Sequence, residues 1–267
     1  MSFPALSPDR LIAHGRTADV YEWGDQHILK LFHDWYDLES IEYELNIVNA
    51  VRASGIQTPK ILEPIVHENK HGLIYERVKG EPMQTILQRK PWMALKYSRW
   101  LARLQKQMHE HPFNADIPDQ HSKLRNKINR AKTLSASLKD SLLDALDLLP
   151  AGDRVCHGDF HPANVLVAGT NAIVIDWVDA SIGNPFADLA RTSIIILGDV
   201  ESGSRVNPFE KTLTKLFHRS YLNEYFKGNP SARNEYLRWL PIVAAARLSE
   251  EIPELETWLA RQAGRVV

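Results

Sequence analysis

The stretch HGDFHPAN, residues 157–164, sets two histidines, an aspartate and an asparagine in eight positions, between the apolar-ended DRVC and the apolar VLVAG. Two chemistries use such a set. His157, Asp159 and His161 alternate as a metal-ligand triplet would on an extended segment, which suits a metal-dependent hydrolase. Alternatively, Asp159 and Asn164 serve a phosphate-transfer site and the histidines are scaffolding. Downstream, VLVAG, a turn at Thr170 and Asn171, and AIVIDW have the patterning of a hairpin that returns Asp176 beside Asn164. An amide and a carboxylate so placed make a hard oxygen site suited to Mg²⁺, which takes few protein ligands and keeps phosphate oxygens and water. Asp159 then lies on the loop that reaches an acceptor hydroxyl. Taken singly, Asp159 and Asn164 read as turn residues and Asp176 as a strand-end cap; the chemistry lies in their conjunction.

The elements that must position these groups fall into two characters. RLIAHG and ADVYEW flank Gly15 as a hairpin, and HILKLF at 27–32 is a β-rich run. LESIEYELNIVNAVRAS follows with Ile41, Leu45, Val48 and Val51 at helical spacing and Gly55 just past its end. PIVHENKHGLIYERV reads as two strands joined by a polar turn. After KGEP the pattern turns helical over 83–111, in one or two pieces, through Ile86, Leu87, Trp100, Leu101, Leu104 and Met108, and again over 122–149 and 207–265, with short strands over 155–178. Lys123, Arg125, Lys127, Arg130 and Lys132 read as a solvated helix face, with a phosphate-binding patch as the alternative. His109 and His111 read as surface or packing residues. The result is α+β, with a small β-rich domain at 1–79 and a larger, mainly helical one at 80–267.

At 267 residues and a net charge of -1, the chain offers no broad basic surface, so neither nucleic acid nor a membrane is expected as a partner. The single cysteine, Cys156, excludes an intramolecular disulfide and a cysteine-rich zinc site, and reads as a core thiol. MSFPALSPDRLIAHG has neither the basic start nor the apolar run of a signal peptide, and SIIILG at 193–198 is too short to span a bilayer. A cytoplasmic location is expected.

With these residues in order, the central segment resembles the catalytic core of the aminoglycoside phosphotransferase and choline kinase family, distant relatives of the protein kinases. That family carries His-Gly-Asp, an Asn, an Ile-Asp-Trp and then an Asp-Leu-Ala. Here they stand as His157-Gly158-Asp159, Asn164, Ile175-Asp176-Trp177 and Asp188-Leu189-Ala190. The resemblance implies a two-lobed protein-kinase-like fold, with a nucleotide-binding N-lobe and a catalytic, substrate-binding C-lobe. Lys30 in HILKLF stands where the family's phosphate-binding lysine belongs. Glu44 is its expected partner, with Glu39 and Glu42 as competitors. A lysine aimed at the α- and β-phosphates needs an opposing carboxylate to hold its flexible stem. At about 4 Å and an effective dielectric of about 20 the pair attracts by roughly 4 kcal/mol. Desolvation cancels much of that, so the glutamate's role is orientation.

LIYERVKG resembles the hinge, where main-chain groups of Glu76 and Val78 bind adenine with Tyr75 beside the base. The nucleotide loop AHGRTADVYEW departs from a G-x-G-x-x-G run, having only Gly15 before the strand and Gly24 beyond it. Thr17 and Ala18 are small enough to let backbone N–H groups approach phosphate. The implied activity is an ATP- and Mg²⁺-dependent transfer of the γ-phosphate to a hydroxyl of a small molecule, an aminoglycoside, an amino alcohol or a sugar-like acceptor; GTP stays open as the donor. Asp159 is the implied catalytic residue, and Asn164 and Asp176 the metal ligands.

Two rivals remain. The hydrolase explains neither Asn164, nor Asp176, nor Lys30 with Glu44. A nucleotide-binding pseudoenzyme would usually show damage at Lys30, Asp159, Asn164 or Asp176, and all four are intact. Glu250, Glu251, Glu254 and Glu256 either attract a cationic substrate or form an ordinary solvated helix. Trp177 and Trp239 either line a pocket for a quaternary amine or pack in the core. Oligomeric state is left open.

Overall fold

The computed structural model describes residues 10–111, 117–202 and 207–266; residues 1–9, which the sequence reading counts with the N-terminal domain, lie outside them. Strands β1 (Leu11–His14), β2 (Ala18–Glu22) and β3 (His27–Phe32) precede helix α1 (Leu38–Ala53), then β4 (Ile61–His67), β5 (Lys70–Glu76) and the short β6 (Glu81–Pro82). Helices α2 (Met83–Arg89), α3 (Ala94–Glu110), α4 (Gln120–Arg130) and α5 (Ala136–Asp147) lead to β7 (Arg154–Cys156), β8 (Val165–Ala168), β9 (Asn171–Val174) and β10 (Ser181–Gly183). Helices α6 (Pro185–Glu201), α7 (Pro208–Tyr225), α8 (Arg233–Arg247) and α9 (Pro253–Ala263) complete the described chain. None of these helices is long and apolar enough to cross a membrane.

The chain packs as two compact units. One holds the residues up to Glu81 together with Val165–Val178; the other holds Pro82–Asn164 and Asp179–Val267. The contiguous split expected at 79/80 keeps the β8–β9 hairpin with the helices, whereas the packing groups it with the β-rich unit. The reason is close contact: a Cβ on Gly80 would stand 3.1 Å from the Val167 carbonyl oxygen of β8.

In the first unit an antiparallel sheet runs in the order β1-β2-β3-β5-β4. Leu29 and Leu31 of β3 are buried with Trp23 and Ile74, so the period-two alternation of a strand turns Lys30 to the opposite face. Its register partners are Val20 and Leu73. Helix α1 begins at Asp37, whose carboxylate accepts from the Ser40 N–H at 2.7 Å, an N-cap. It buries Ile41, Ile47, Val48 and Val51 together with one acid, Glu44, and packs against β4 and β5.

In the second unit α3 packs on α7, α4 and α6 pack on α8, and α8 packs on α9. Ala244, Ala245 and Ala246 are buried on α8, and such small side chains let helix backbones approach closely. The expected helical stretch 83–111 divides at Pro91, since a proline cannot continue a helix whose amide it would have to donate. Strands β7 and β10 pair antiparallel and bracket the HGDFHPAN segment.

Candidate active site

Lys30, Glu44, Tyr75 and Asp176 meet in the first unit. The Lys30 ammonium donates to Glu44 Oε1 at 2.7 Å, and the Tyr75 hydroxyl donates to the same oxygen at 2.6 Å. Asp176 Oδ1 lies 3.6 Å from the same ammonium, an ion pair without a hydrogen bond. Glu44 is almost fully buried, while the Asp176 side chain is 43% exposed, so one carboxylate is available for orientation and the other faces outward. Burial pulls the Lys30 pKa down, but Glu44 and then Asp176 outweigh it and leave it raised. The lysine is therefore charged at any physiological pH. Tyr75 is pushed well above its usual range by burial first and then by Glu44, so it stays protonated and can donate to Glu44.

Asp176 takes φ 63°, a left-handed conformation that a non-glycine residue adopts at some cost. The neighbouring Trp177 anchors it, its indole N–H donating to the Val174 carbonyl at 3.1 Å from a buried position. At the other end of the expected nucleotide site, Gly15 N–H donates to the Ala18 carbonyl and the Thr17 carbonyl accepts from His33 N–H. Glu76 N–H donates to the Lys60 carbonyl, and the Val78 carbonyl accepts from Gly80 N–H.

The second unit holds the loop that follows β7. Gly158 adopts φ 78°, and a Cβ there would fall 2.4 Å from the Asp179 carbonyl oxygen, so this position excludes every other residue. Its N–H donates to Asp188 Oδ1 at 2.7 Å and its carbonyl accepts from Arg191 Nε at 3.0 Å. Both α6 residues thus hold the peptide before Asp159. Asp188 is 1% exposed. Its other oxygen receives Gln105 Nε2 at 2.9 Å and His109 Nε2 at 3.0 Å, and these are held in turn by Tyr221 and Tyr225. Burial works to raise the Asp188 pKa, but the His109 contact prevails and leaves it lowered.

Asn164 Nδ2 donates to the Asp159 carbonyl at 2.9 Å and to Asp159 Oδ2 at 3.2 Å. Arg191 lies 3.6 Å from Oδ1, and His161 Nε2 lies 3.5 Å from Oδ2. Burial would raise the Asp159 pKa; the His161 and Arg191 contacts overcome it and hold the carboxyl well below the usual carboxylate range. A carboxylate of this kind is ionised at physiological pH. It can orient a hydroxyl by accepting its hydrogen bond but is a weak base toward it.

The hydrolase triplet does not assemble. His157 is fully buried with Nδ1 accepting from Asp159 N–H at 3.2 Å, and it packs edge-on against Phe160. His161 Nδ1 faces the Ala163 N–H. Among the described residues no three His, Cys, Asp or Glu side chains gather so as to hold a metal. The histidines shape the loop.

A model of the phosphotransferase enzyme family matches residues 9–236. The chain belongs to that family. No curated protein matches this phosphotransferase in sequence. Among solved structures it is similar to a choline/ethanolamine kinase family protein from Mesorhizobium loti, at 16% identity and a TM-score of 0.60, over 96% of this chain and 86% of that one. It is similar to an amicoumacin kinase bound to AMP-PNP and Ca²⁺, at 15% identity and a TM-score of 0.62, over 99% and 90%. It is also similar to a thermostable mutant of the aminoglycoside phosphotransferase APH(4)-Ia bound to ADP and hygromycin B, at 14% identity and a TM-score of 0.62, over 99% and 94%. The fold is α+β and protein-kinase-like.

Several residues of the phosphotransferase were not singled out by sequence reasoning. Arg191 and Gln105 carry no motif. His109, read as surface or packing, is buried against Asp188; its one available signal was the aspartate in the apolar PFADLARTS, which needs a buried partner. Trp177 and Trp239 are core residues, not a quaternary-amine pocket. Glu251, Glu254 and Glu256 are exposed, but Glu250 is not: its Oε1 pairs with Arg191 at 2.7 Å. Lys123 and Lys127, expected on a solvated face, line a cavity instead.

Proposed function

We propose that this phosphotransferase moves the γ-phosphate of ATP, with Mg²⁺, to a hydroxyl of a small molecule. The observation that carries the reading is the meeting of Lys30 with both Glu44 and Asp176, residues scattered from 30 to 176 in the sequence. A charged lysine held by a buried carboxylate, beside a second carboxylate that remains exposed, suits a phosphate oxygen and a cation together. Lys30 binds the α- and β-phosphate oxygens and Glu44 orients it. Thr17 and Ala18 bring backbone amides toward the phosphates. The Glu76 carbonyl and the Val78 N–H are the main-chain groups assigned to the base, with Tyr75 alongside. GTP is the alternative donor.

Asp176 and Asn164 are the residues that would hold Mg²⁺, each by a hard oxygen. The Asp176 carboxylate accepts no hydrogen bond among the described residues, and the Asn164 amide, whose NH₂ is spent on Asp159, keeps its oxygen for a ligand. When bound, the ion supplies charge neutralisation at the phosphate oxygens. Asp159 accepts the hydrogen bond of the acceptor hydroxyl. The acceptor oxygen bonds to the γ-phosphorus as the bond to the β,γ-bridging oxygen breaks, ADP leaves, and the hydroxyl proton passes to Asp159 late. Positioning and charge complementarity supply most of the rate, with no covalent enzyme intermediate.

The experiment is ADP release on purified protein against a screen of hydroxyl-bearing metabolites and aminoglycosides. Mg²⁺-dependent turnover that disappears in Asp176→Ala while the variant stays folded is the expected result. Full activity in that variant would overturn the metal assignment.

A further inference from the structure

The two oxygens of the Asp159 carboxylate differ. Oδ2 accepts from the Asn164 amide at 3.2 Å and faces His161 Nε2 at 3.5 Å. Oδ1 accepts no hydrogen bond among the described residues. Its ion-pair partner, Arg191 Nη2, stands at 3.6 Å, beyond hydrogen-bond distance. With the Asp159 side chain 31% exposed, Oδ1 is the oxygen left for a group that arrives from outside.

Arg191 is kept at that distance by a residue far away in the sequence. Its Nε donates to the Gly158 carbonyl at 3.0 Å, which fixes one end of a rigid planar fork. The same Nη2 lies 2.7 Å from Glu250 Oε1. Glu250 Oε1 is buried with no hydrogen bond among the described residues, so this contact is an ion pair and charge sets the position. Both side chains are nearly enclosed, at 12% and 14% exposure, where water and salt screen the attraction little. Glu250 ends a short 3₁₀ turn, Leu248–Glu250, which packs against α4 and α8 and is closed by Glu251 at φ 52°. Lys127 at 3.8 Å and Arg247 Nε at 4.0 Å add their charges to hold the carboxylate there.

Without that hold, Arg191 would close on another acid. After Glu250, the charges it feels most are Asp159 and then Asp179, and Asp179 already faces Lys123 and Lys127. A guanidinium closing on Asp159 would take the open oxygen in a charge-assisted hydrogen bond. We infer that Glu250 is a positioning residue for the transfer: it holds Arg191 off Asp159 Oδ1 and keeps that oxygen open to the acceptor's hydroxyl. The inference rests on the phosphotransferase reading of Asp159.

The test uses the full chain. ADP release from Mg·ATP is followed with water and with the alcohols of the screen as acceptors, affinity for Mg·AMP-PNP is measured calorimetrically, and each variant's structure is determined. Glu250→Gln should bring Arg191 Nη2 within hydrogen-bond distance of Asp159 Oδ1. Its kcat should fall about tenfold, the weight of one hydrogen bond to a charged group, with KM for ATP and AMP-PNP affinity unchanged. Removing the guanidinium as well, in Glu250→Gln/Arg191→Gln, should return part of the lost rate, whereas a merely structural role makes the two losses add. Glu250→Asp retains the charge but draws it back by one methylene. It should show the same two changes in smaller measure, and it serves if Glu250→Gln does not fold. An Arg191 that stays beyond hydrogen-bond reach of Oδ1 in these variants overturns the inference, as does a double variant in which the two losses simply multiply. A wild type that binds Mg·AMP-PNP but releases no ADP with any acceptor counts against the phosphotransferase reading instead. The variant structures then decide the role of Glu250 alone.

Discussion

The cluster around Lys30 and the loop around Asp159 solve the same problem, fixing one charged side chain, in opposite ways. Lys30 is held by a single oxygen of Glu44, which also serves Tyr75, while Glu44 Oε2 is buried with no hydrogen bond among the described residues. Asp159 is held through its backbone: the peptide before it is clamped at both ends by α6, and its own carbonyl is tied to Asn164. A flexible four-carbon side chain needs a partner at its tip, whereas a short side chain is aimed by fixing its main chain. The first arrangement leaves the charged tip free to move with its one partner; the second leaves almost no such freedom.

If that contrast is right, nucleotide binding should depend on the first unit, and catalysis together with the stability of the loop on the second. The largest effect expected is Asp159→Asn, which keeps the contacts to Asn164 but loses the charge: kcat should fall by about 10²–10⁴-fold, with Mg·ATP affinity retained in a direct binding assay. Loss of nucleotide binding in that variant would mean that the two clusters are not separable in function. Next comes Asp188→Asn, whose NH₂ must face either the Gln105 and His109 donors or the Gly158 N–H, so that one side of the network is set donor against donor. Breaking a buried network of this kind costs about 3 kcal/mol. For a chain of this size that is a fall of roughly 6–12 °C in melting temperature, with activity falling alongside as the loop relaxes.

The difference between the two regions also explains what could be read from the sequence. Asp159, Asn164 and Asp176 lie within one short stretch whose hairpin patterning orders them, and the antiparallel β8–β9 pair is where the alternation of VLVAG and AIVIDW puts it. Glu44 was separable from Glu39 and Glu42 by helical phase: it follows Ile41 by three residues and precedes Val48 by four, inside the buried stripe, while the other two are exposed. The cavity that Lys123 and Lys127 line was not legible. Lys123 and Lys127 are four apart beside the buried Leu124 and Ile128, and a polar flank on an amphipathic helix has the same pattern whether it faces solvent or another helix. Tyr75 was equally opaque, since a strand tyrosine does not announce which helix its hydroxyl reaches. The hairpin's membership of the β-rich unit was hidden because it depends on Gly80 approaching β8, a contact with no local signature.

A smaller effect tests whether acid reaches the helical unit first. His218 on α7 has Nε2 buried without a hydrogen bond among the described residues, and burial, then the charge of Arg233, lowers its pKa to about 4. The unfolded imidazole titrates near 6.5. As pH falls from about 6.5 to about 4 the unfolded chain takes up the proton before the folded one does, so stability is lost across that window, on the order of 2 kcal/mol. Amide-exchange protection followed at pH 7 and pH 4.5 should fall in α3 and α7 and hold in β3 and β5. His218→Phe should flatten the dependence, and equal loss in both units would break the contrast.

The smallest effect sharpens it most, because it asks whether the Lys30 cluster carries structure at all. In Glu44→Gln the side-chain oxygen can still accept from Lys30 and Tyr75, and Oε2 had no hydrogen bond to lose. Stability should therefore change by less than about 1 kcal/mol, a melting shift of no more than roughly 4 °C. What disappears is the charge that directs the ammonium. Asp176, 3.6 Å away, is then the carboxylate left beside Lys30 among the described residues and draws it toward the metal position. The cost falls on nucleotide binding, about tenfold in KM for ATP, with kcat little altered because the Asp159 loop is untouched. Initial rates across ATP concentrations, with thermal unfolding on the same preparation, separate the outcomes. A melting temperature that drops as far as in Asp188→Asn would make Glu44 a structural keystone and erase the distinction between the two ways of holding a charge.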